Sequence, residues 1–276
     1  MSDRTIPVAA NGASWTRRGR RLPRCAVAAL CGMAAVACGG GAAPGPTPSL
    51  PSASSGMTFS ELAAGRFDSA ATGSQFLRIV QFVQAPNQHV ASKKHQAGII
   101  YVATGEQRLT YTLSGTSVDI HAGTALFLQD VDHSHATLPP QMSKWYFIAL
   151  WPDTPQSQTL VPPATQVFQT EDLPLNALLP GSYTETLRRV TLQPGGRSPA
   201  HRFGGLEVVF VLDGTLKVDV SGQAPAQLPL GQATYVVPQT LTQEVATGSQ
   251  KVDYLAYFVT QQGKPFETDA TSAPPG

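Results

Sequence analysis

Short apolar or alternating runs recur along the chain between about residues 75 and 260, separated by Gly, Pro, Asn and Asp. The runs at 99–103, 206–212 and 252–258 are typical. Many short runs divided by turn residues indicate the strands of a β-sandwich or barrel. Apolar residues do not recur at helical spacing over any long stretch. The pattern therefore predicts an all-β fold, with a short helix or connector at 173–179 that Pro180 would end.

The same pattern occurs twice, with the second copy roughly 110 residues after the first. For example, the residues at 123–127 correspond to those at 231–235. A repeat of this length is a duplicated domain, because the units of solenoid proteins are shorter. We therefore expect two similar barrels, at 57–165 and 166–266, followed by a disordered tail at 267–276.

The first 37 residues have the pattern of a secretory signal that is removed on export. Five arginines at 17–24 precede an apolar run at 25–37, which is too short to span a bilayer as a helix. The small residues Ala35 and Ala37 stand before Cys38, where cleavage is expected. These features predict an exported protein of the bacterial cell envelope.

Cys38 distinguishes two forms of export. A cysteine at the first mature position resembles a bacterial lipoprotein signal, which implies lipidation of Cys38 and a lipid anchor in the membrane. The alternative is a soluble periplasmic protein released by ordinary cleavage at the same bond. Because Cys25 and Cys31 lie in the signal, the folded region has no disulfide and no thiolate nucleophile. Residues 38–56 are rich in Gly, Pro and Ser, which predicts a flexible linker.

The charge of the mature chain argues against nucleic acid as a partner. The whole chain has 19 basic and 18 acidic residues, of which six basic and one acidic residue precede Cys38. The remaining 13 basic and 17 acidic residues give a net charge of −4. A nucleic-acid-binding surface needs a basic patch, and this balance does not provide one.

Residues 194–214 contain the clearest candidate chemistry. His201 lies six residues before Glu207, and an apolar strand and a turn follow. This half resembles the cupin superfamily, a double-sheet jelly-roll barrel, whose first motif reads Gly, His-x-His, Glu, Gly and whose second ends on a His. Phe203 stands where the second His of the first motif belongs, and Gln243 where the last His belongs.

The first half resembles the same family in its spacing and strands, so the chain as a whole resembles a bicupin. The resemblance implies two tandem jelly-roll barrels, also called double-stranded β-helices. In the alignment of the two halves, the residues of the first half that correspond to His201, Phe203, Glu207 and Gln243 are Lys93, His95, Gly98 and His135.

The resemblance also implies where a metal would bind. Imidazoles and a carboxylate inside such a barrel hold a divalent transition metal and leave positions open for substrate or oxygen. His201 and Glu207, with Gln243 as a weak third ligand, form one candidate site for Mn, Fe, Ni or Zn. Neither half has the complete ligand set of the family. A rival candidate site in the first half has the imidazoles of His95, His133 and His135 and no carboxylate.

Simpler interpretations of these side chains stay open. His201 and Glu207 would also be explained by a hydrogen-bonded or ionic pair, because a buried carboxylate without a partner is costly. His133 follows an acidic turn and is expected to be exposed, as are His89 and His121, which fall outside the motif positions.

Two classes of function fit this sequence. The incomplete ligand sets favour an exported protein that binds a small-molecule ligand, or a structural protein of the envelope. The alternative is a metal-dependent cupin enzyme of the dioxygenase, isomerase or aminohydrolase type. The sequence has no nucleophile elbow, no phosphate-binding glycine loop and no helical zinc motif.

Overall fold

The computed structural model describes the chain at 54–69, 74–91, 96–154, 159–160, 162–171, 173 and 180–269. These residues belong to one compact unit, Pro48–Gly276. The expected signal sequence, Cys38 and His95 lie outside the described residues.

The described residues form 19 strands and no helix, which confirms the all-β prediction. None of them belongs to a helix that could cross a membrane. The strands are β1 (Ser55–Ser69), β2 (Gln75–Gln84), β3 (His89–Ala91), β4 (Gly98–Thr104), β5 (Glu106–Tyr111), β6 (Ser117–His121), β7 (Ala125–Leu128), β8 (His133–Thr137), β9 (Ser143–Pro152), β10 (Thr165–Gln169), β11 (Gly181–Arg197), β12 (His201–Phe203), β13 (Leu206–Asp213), β14 (Thr215–Val220), β15 (Ala226–Pro229), β16 (Ala233–Val236), β17 (Thr242–Ala246), β18 (Val252–Gln261) and β19 (Glu267–Asp269).

Two predicted segments differ in detail from this set of strands. The residues at 267–269, expected in a disordered tail, form β19 because they pair with β12. Ser55 and Gly56, expected in the flexible linker, already belong to β1. Of the predicted connector at 173–179, only Leu173 is described, and it forms an isolated bridge with Gln75.

The N-terminal barrel consists of two antiparallel sheets, with the strand orders β10-β2-β9-β4-β7 and β3-β8-β5-β6. Successive residues of a strand point to opposite faces, so every second residue faces the interior. Val102, Leu109, Trp145 and Phe147 are among the buried side chains that fill this interior.

The strands of the C-terminal barrel repeat this order. The layer β11-β18-β13-β16 corresponds to β2-β9-β4-β7, and the strands β12, β17, β14 and β15 correspond to β3, β8, β5 and β6. Its two layers are joined into one sheet where Arg197 of β11 pairs with Val245 of β17. Val209, Val211 and Phe258 belong to the cluster that fills its interior.

Corresponding turns show that the two barrels are copies of one another. The amide of Gly123 donates to Val102 O at 2.7 Å, and the amide of Gly231 donates to Val211 O at 2.9 Å. Both glycines have φ of +80°, a left-handed conformation that favours glycine. The prediction of two tandem jelly-roll barrels is therefore confirmed.

Each half also contributes an edge strand to the sheet of the other half. β1 precedes the N-terminal barrel in sequence but pairs along its length with β11 of the C-terminal barrel. In the same way, β10 precedes β11 but pairs with β2 of the N-terminal barrel. The sheet boundaries therefore do not follow the order of the chain.

The outer faces of the two sheets pack against each other and form a third buried cluster. Leu77 and Ile148 of the N-terminal barrel and Leu187 and Tyr257 of the C-terminal barrel all belong to it. A buried side chain of this size stabilises a fold by about 1.5–3 kcal/mol. Packing between the barrels, together with the exchanged strands, holds them as one unit.

Candidate metal centre

Three ionisable side chains converge inside the C-terminal barrel. His201, Glu207 and Glu244 are 4%, 2% and 1% exposed. Nε2 of His201 lies 3.8 Å from Oε2 of Glu207 and 3.9 Å from Oε1 of Glu244. All three ligand atoms lie within 4.8 Å of one another, and no second such group of His, Cys, Asp or Glu occurs among the described residues.

The strand pattern of the barrel brings these three side chains together. His201 of β12 pairs with Thr242 of β17, two residues before Glu244. Glu207 lies in β13 on the same face as Val209, because side chains alternate along a strand. Ser198 fixes the backbone of Glu244, since its amide donates to Glu244 O at 2.9 Å and its hydroxyl accepts from Glu244 N at 2.9 Å.

The facing atoms of the three side chains have no hydrogen-bond partner. Nε2 of His201, Oε2 of Glu207 and Oε1 of Glu244 are all buried and unsatisfied. Their separations of 3.8 and 3.9 Å exceed the length of an N–H···O hydrogen bond. Nδ1 of His201 donates to Pro199 O at 2.7 Å, so in the neutral ring the lone pair lies on Nε2. Buried polar atoms are nearly always satisfied, and one cation would satisfy all three.

The electrostatics of the group also favour a positive charge at its centre. Burial alone would lower the pKa of His201, but the carboxylates of Glu244 and Glu207 outweigh this effect and raise it to about 10. Burial and the charge of Glu244 raise the pKa of Glu207 to about 7, against the opposing effect of His201. Both shifts arise because two buried carboxylates favour a positive neighbour, and in the metal-free protein the protonated ring of His201 supplies that charge.

Aromatic side chains surround the group on one side. The ring of Phe203 lies 4.5 Å from that of His201, and it packs at 4.3 Å from Phe258 and 5.3 Å from Phe266. Apolar surroundings screen charges weakly, so an ion and its carboxylates would attract each other strongly there.

Glu244, which the sequence analysis did not single out, takes the place that the alignment gave to Gln243. Val218 pairs with Glu244, while Leu109, at the corresponding position of the other barrel, pairs with His135. His135 therefore corresponds to Glu244, and the alignment was wrong by one residue. A slip of one residue moves a side chain to the other face of a strand, which is why the error changed the ligand.

Gln243 itself has a different environment. Its amide donates to Ser198 O at 2.8 Å, and alternation places it on the face of β17 opposite to Glu244. The sequence alone does not distinguish the two faces here, because Val245, on the face of Gln243, is as apolar as Ala246, which the structure places in the interior cluster on the face of Glu244.

The N-terminal barrel lacks a carboxylate at the position of Glu207. Gly98 pairs with Leu128 as Glu207 pairs with Val236, so the predicted match between Gly98 and Glu207 is confirmed. A Cβ atom on Gly98 would lie 2.7 Å from the Cβ of Ala149, so a side chain does not fit without movement of the neighbouring strand.

His133 and His135 form a pair inside the N-terminal barrel. Their Nε2 atoms are 3.0 Å apart, and Nδ1 of His133 donates to Val131 O at 2.7 Å. Nε2 of His133 therefore accepts from His135. Burial lowers the pKa of His133, which favours this uncharged arrangement. The rival site would have to break the pair to bind a metal with both imidazoles.

The expectation that His133 is exposed was wrong. It is 1% exposed because β8 begins at this residue and directs its side chain inward. His89 and His121 are exposed, as expected, and His121 lies 3.1 Å from the carboxylate of Glu106.

Uncharged polar groups continue from the histidine pair into the N-terminal barrel. The ring of His135 stacks on that of Trp145 at 4.7 Å, and Nε1 of Trp145 donates to the Gln84 side chain at 2.5 Å. The amide of Gln107 contacts the Thr137 hydroxyl at 2.8 Å. The N-terminal barrel thus has a hydrogen-bonded network where the C-terminal barrel has three ionisable groups.

Two solved structures of oxalate decarboxylases are similar to this chain. The Lactobacillus farciminis enzyme, in a formate complex, has a TM-score of 0.55 and 14% identity, over 75% of this chain and 83% of that chain. A second oxalate decarboxylase structure, from work on its substrate binding mode and a switch of reaction specificity, has a TM-score of 0.52 and 14% identity, over 71% and 72%.

The fold is that of a bicupin. At this level of identity the likeness extends to the fold alone. No family model matches the sequence, and no curated protein sequence matches it.

Proposed function

We propose that this protein is an exported bicupin that binds one divalent cation in its C-terminal barrel. His201, Glu207 and Glu244 would hold the ion. The observation that carries the proposal is the set of three buried atoms that face one another without a hydrogen bond. Without an ion, Nε2 of His201 alone would face both Glu207 and Glu244, and at 3.8 and 3.9 Å it leaves a buried oxygen of each without a hydrogen bond, which is costly.

The ligand types favour manganese or iron. Carboxylates suit Mn²⁺, and imidazole suits Fe²⁺, Ni²⁺ and Zn²⁺. Two carboxylates and one imidazole are therefore a better match to Mn²⁺ or Fe²⁺ than to Ni²⁺ or Zn²⁺. The hydrogen bond from Nδ1 of His201 to Pro199 O supports this role, because it orients the ring and directs Nε2 to the ion.

We propose binding, not catalysis, as the role of this site. Phe203 occupies the place of a second imidazole and packs against Phe258 and Phe266, which fills that side of the barrel. A bound ion would connect β12, β13 and β17, and binding to the folded state alone stabilises it. The ion would thus support a ligand-binding or structural role in the envelope.

A metal-dependent enzyme is the second candidate. It is favoured by the small number of protein ligands, because three ligands leave coordination positions at which a metal can act as a Lewis acid. The similarity of fold to oxalate decarboxylases makes small carboxylic acids such as oxalate the first substrates to test. Turnover of oxalate by the manganese-loaded protein, lost in Glu207→Gln, would establish this candidate.

The proposed location is the cell envelope, with the folded domain attached through a lipid on Cys38 and a linker rich in Gly, Pro and Ser. Such a linker lets a folded domain move on its anchor. The soluble periplasmic form stays the alternative.

Metal analysis tests the proposal. The mature protein is freed of metal with a chelator, incubated with Mn²⁺, passed through a desalting column and analysed by elemental mass spectrometry. We expect about one Mn²⁺ per chain in the unsubstituted protein, as for one cluster of ligands. Glu207→Gln should retain little, whereas His135→Gln in the other barrel should retain the same amount. Equal retention by all three would contradict the proposed site.

A further inference from the structure

Glu185 is a buried carboxyl group within the packed surface between the barrels. It lies on β11, is 1% exposed, and its Oε2 has no hydrogen-bond partner. The hydroxyl of Tyr257, on the neighbouring β18, lies beside it and is equally buried. Burial raises the pKa of Glu185 to about 8, because the charged form loses its water.

The duplication provides an internal comparison for this position. The register of β1 against β11 shifts by one residue between Leu187 and Arg188. The register of β10 against β2 shifts in the same way between Ile79 and Val80. Ile79 therefore corresponds to Leu187, and the residue two positions earlier, Leu77, corresponds to Glu185.

The corresponding pair in the other half is apolar. Leu77 takes the position of Glu185, and Ile148, which pairs with Ile99 as Tyr257 pairs with Val208, takes that of Tyr257. Leu77 and Ile148 are both fully buried. The fold thus accepts two apolar side chains here, and a carboxyl and a hydroxyl in their place carry a cost that packing does not explain.

Glu185 also lines a cavity, of about 630 Å³, which is within the usual size of a small-molecule pocket. Arg66, Phe67 and Asp68 of β1 form part of its wall. Leu150 of β9 contributes apolar surface from the N-terminal barrel. The cavity therefore lies where both barrels and the exchanged strand β1 meet.

The described lining of the cavity is acidic, with apolar patches. Its charged groups are one guanidinium, Arg66, and four carboxyls, of Asp68, Asp130, Asp153 and Glu185. An acidic lining attracts cations, and a cation placed on Glu185 would replace the water that burial removed.

We propose that this cavity binds a small organic cation, an alkyl ammonium ion, with its ammonium group on Glu185 and its alkyl chain against Phe67 and Leu150. The site is separate from the proposed metal centre, which lies in the interior of the C-terminal barrel. Its ligand belongs to the class of primary amines. The hydroxyl of Tyr257, which lies beside Glu185, would donate to its carboxylate and support the charged form when the cation is bound.

The test compares three probes of similar shape. Butylammonium chloride, 1-butanol and sodium butyrate are titrated into the mature protein, and binding is followed by calorimetry and by amide shifts near Phe67 and Leu150. We expect saturable binding of butylammonium, with butanol and butyrate at least about 10-fold weaker, since a charge-assisted contact contributes that much. Equal binding of butanol, or no binding of butylammonium, would overturn the proposal.

Two variants locate the contact. Glu185→Gln keeps the shape of the side chain and should weaken butylammonium binding by about 10-fold or more. Asp68→Asn, at an exposed residue whose Oδ1 can still accept from the Ser182 hydroxyl, should weaken it by a smaller factor of roughly 2–5. Glu244→Gln, in the proposed metal centre, should leave it unchanged. Unchanged binding in Glu185→Gln would overturn the proposal, whatever the metal content of the protein.

Discussion

Nε2 of His201 and Oε1 of Glu244 face each other across 3.9 Å inside the C-terminal barrel, and neither atom has a hydrogen bond. This separation is too long for a direct hydrogen bond and short enough for both atoms to bind one ion. With Glu207 on the other side, the arrangement keeps two carboxylates close together in an apolar place. The arrangement predicts that replacing one of these carboxylates matters most when metal is present.

Glu244→Gln should remove the response of the protein to metal. In the presence of a chelator the substitution removes the repulsion between two buried carboxylates but also the attraction of Glu244 for the protonated His201, so we expect the free energy of unfolding to change by less than about 1 kcal/mol. The unsubstituted protein should gain thermal stability when Mn²⁺ is added, and Glu244→Gln should not. Thermal unfolding followed by circular dichroism, with chelator and then with Mn²⁺, gives both values. A similar gain in both proteins would count against Glu244 as a ligand.

Trp145→Phe should destabilise the N-terminal barrel without affecting metal binding. The substitution removes the indole N–H that donates to Gln84 and leaves a buried amide oxygen unsatisfied. We expect a loss of about 1–3 kcal/mol in the free energy of unfolding, measured with urea. Manganese retention should equal that of the unsubstituted protein. A loss of metal in Trp145→Phe would instead indicate a site in the N-terminal barrel.

Glu185 should make the stability of the protein depend on pH. Its pKa is raised to about 8 in the folded state, above the usual value of 4.5, so the folded state binds the additional proton between these values. The contribution of Glu185 to stability is therefore full at low pH and falls as the pH rises from about 5 to about 8. Urea unfolding at pH 5 and at pH 8 measures it.

The matched variants for this prediction are Glu185→Gln and Glu185→Leu, the second of which reproduces the Leu77 of the other half. At pH 8 both variants should have a free energy of unfolding about 1–3 kcal/mol above that of the unsubstituted protein, because no buried carboxyl group needs to ionise. They should therefore unfold at a higher urea concentration. The difference should shrink at pH 5. A difference that is the same at both pH values would show that ionisation of Glu185 does not matter.

Cys38→Ser should separate the two forms of export. If Cys38 is lipidated, the natural protein should be found in the membrane fraction of the cell envelope and the variant in the soluble fraction. Mass spectrometry should find a mature N-terminus at Cys38 with an added lipid. An intact Met1 would contradict export, and a soluble natural protein would support the periplasmic alternative.

Much of the fold follows from the sequence because it depends on local signals. Turn glycines such as Gly123 and Gly231 and the apolar runs between them repeat in the two halves, and they predict two barrels directly. The exchange of β1 and β10 between the sheets is not predictable in this way. It depends on pairing between distant residues, and the apolar pattern of an edge strand is the same whichever sheet it joins.

The candidate site could be predicted in part. His201 and Glu207 follow from the motif, but Glu244 was missed because the alignment of the second motif was shifted by one residue, and β-strand alternation turns that shift into a change of face. The prediction that His133 is exposed was wrong for a related reason. An acidic turn before a strand does not show which face of the sheet the first side chain of that strand occupies. The polar network around Trp145 depends on side chains from several strands, and the motifs do not include it.

The central claim is that His201, Glu207 and Glu244 bind one divalent cation, and calorimetric titration with Mn²⁺ tests it most directly. The mature protein is compared with Glu244→Gln and with Gln243→Ala, a change in the adjacent residue that faces the other side of β17. We predict about one site per chain in the unsubstituted protein and in Gln243→Ala, and at least about 10-fold weaker binding in Glu244→Gln. Loss of binding in Gln243→Ala with retention in Glu244→Gln, or no binding of Mn²⁺ by the unsubstituted protein, would contradict the proposed site.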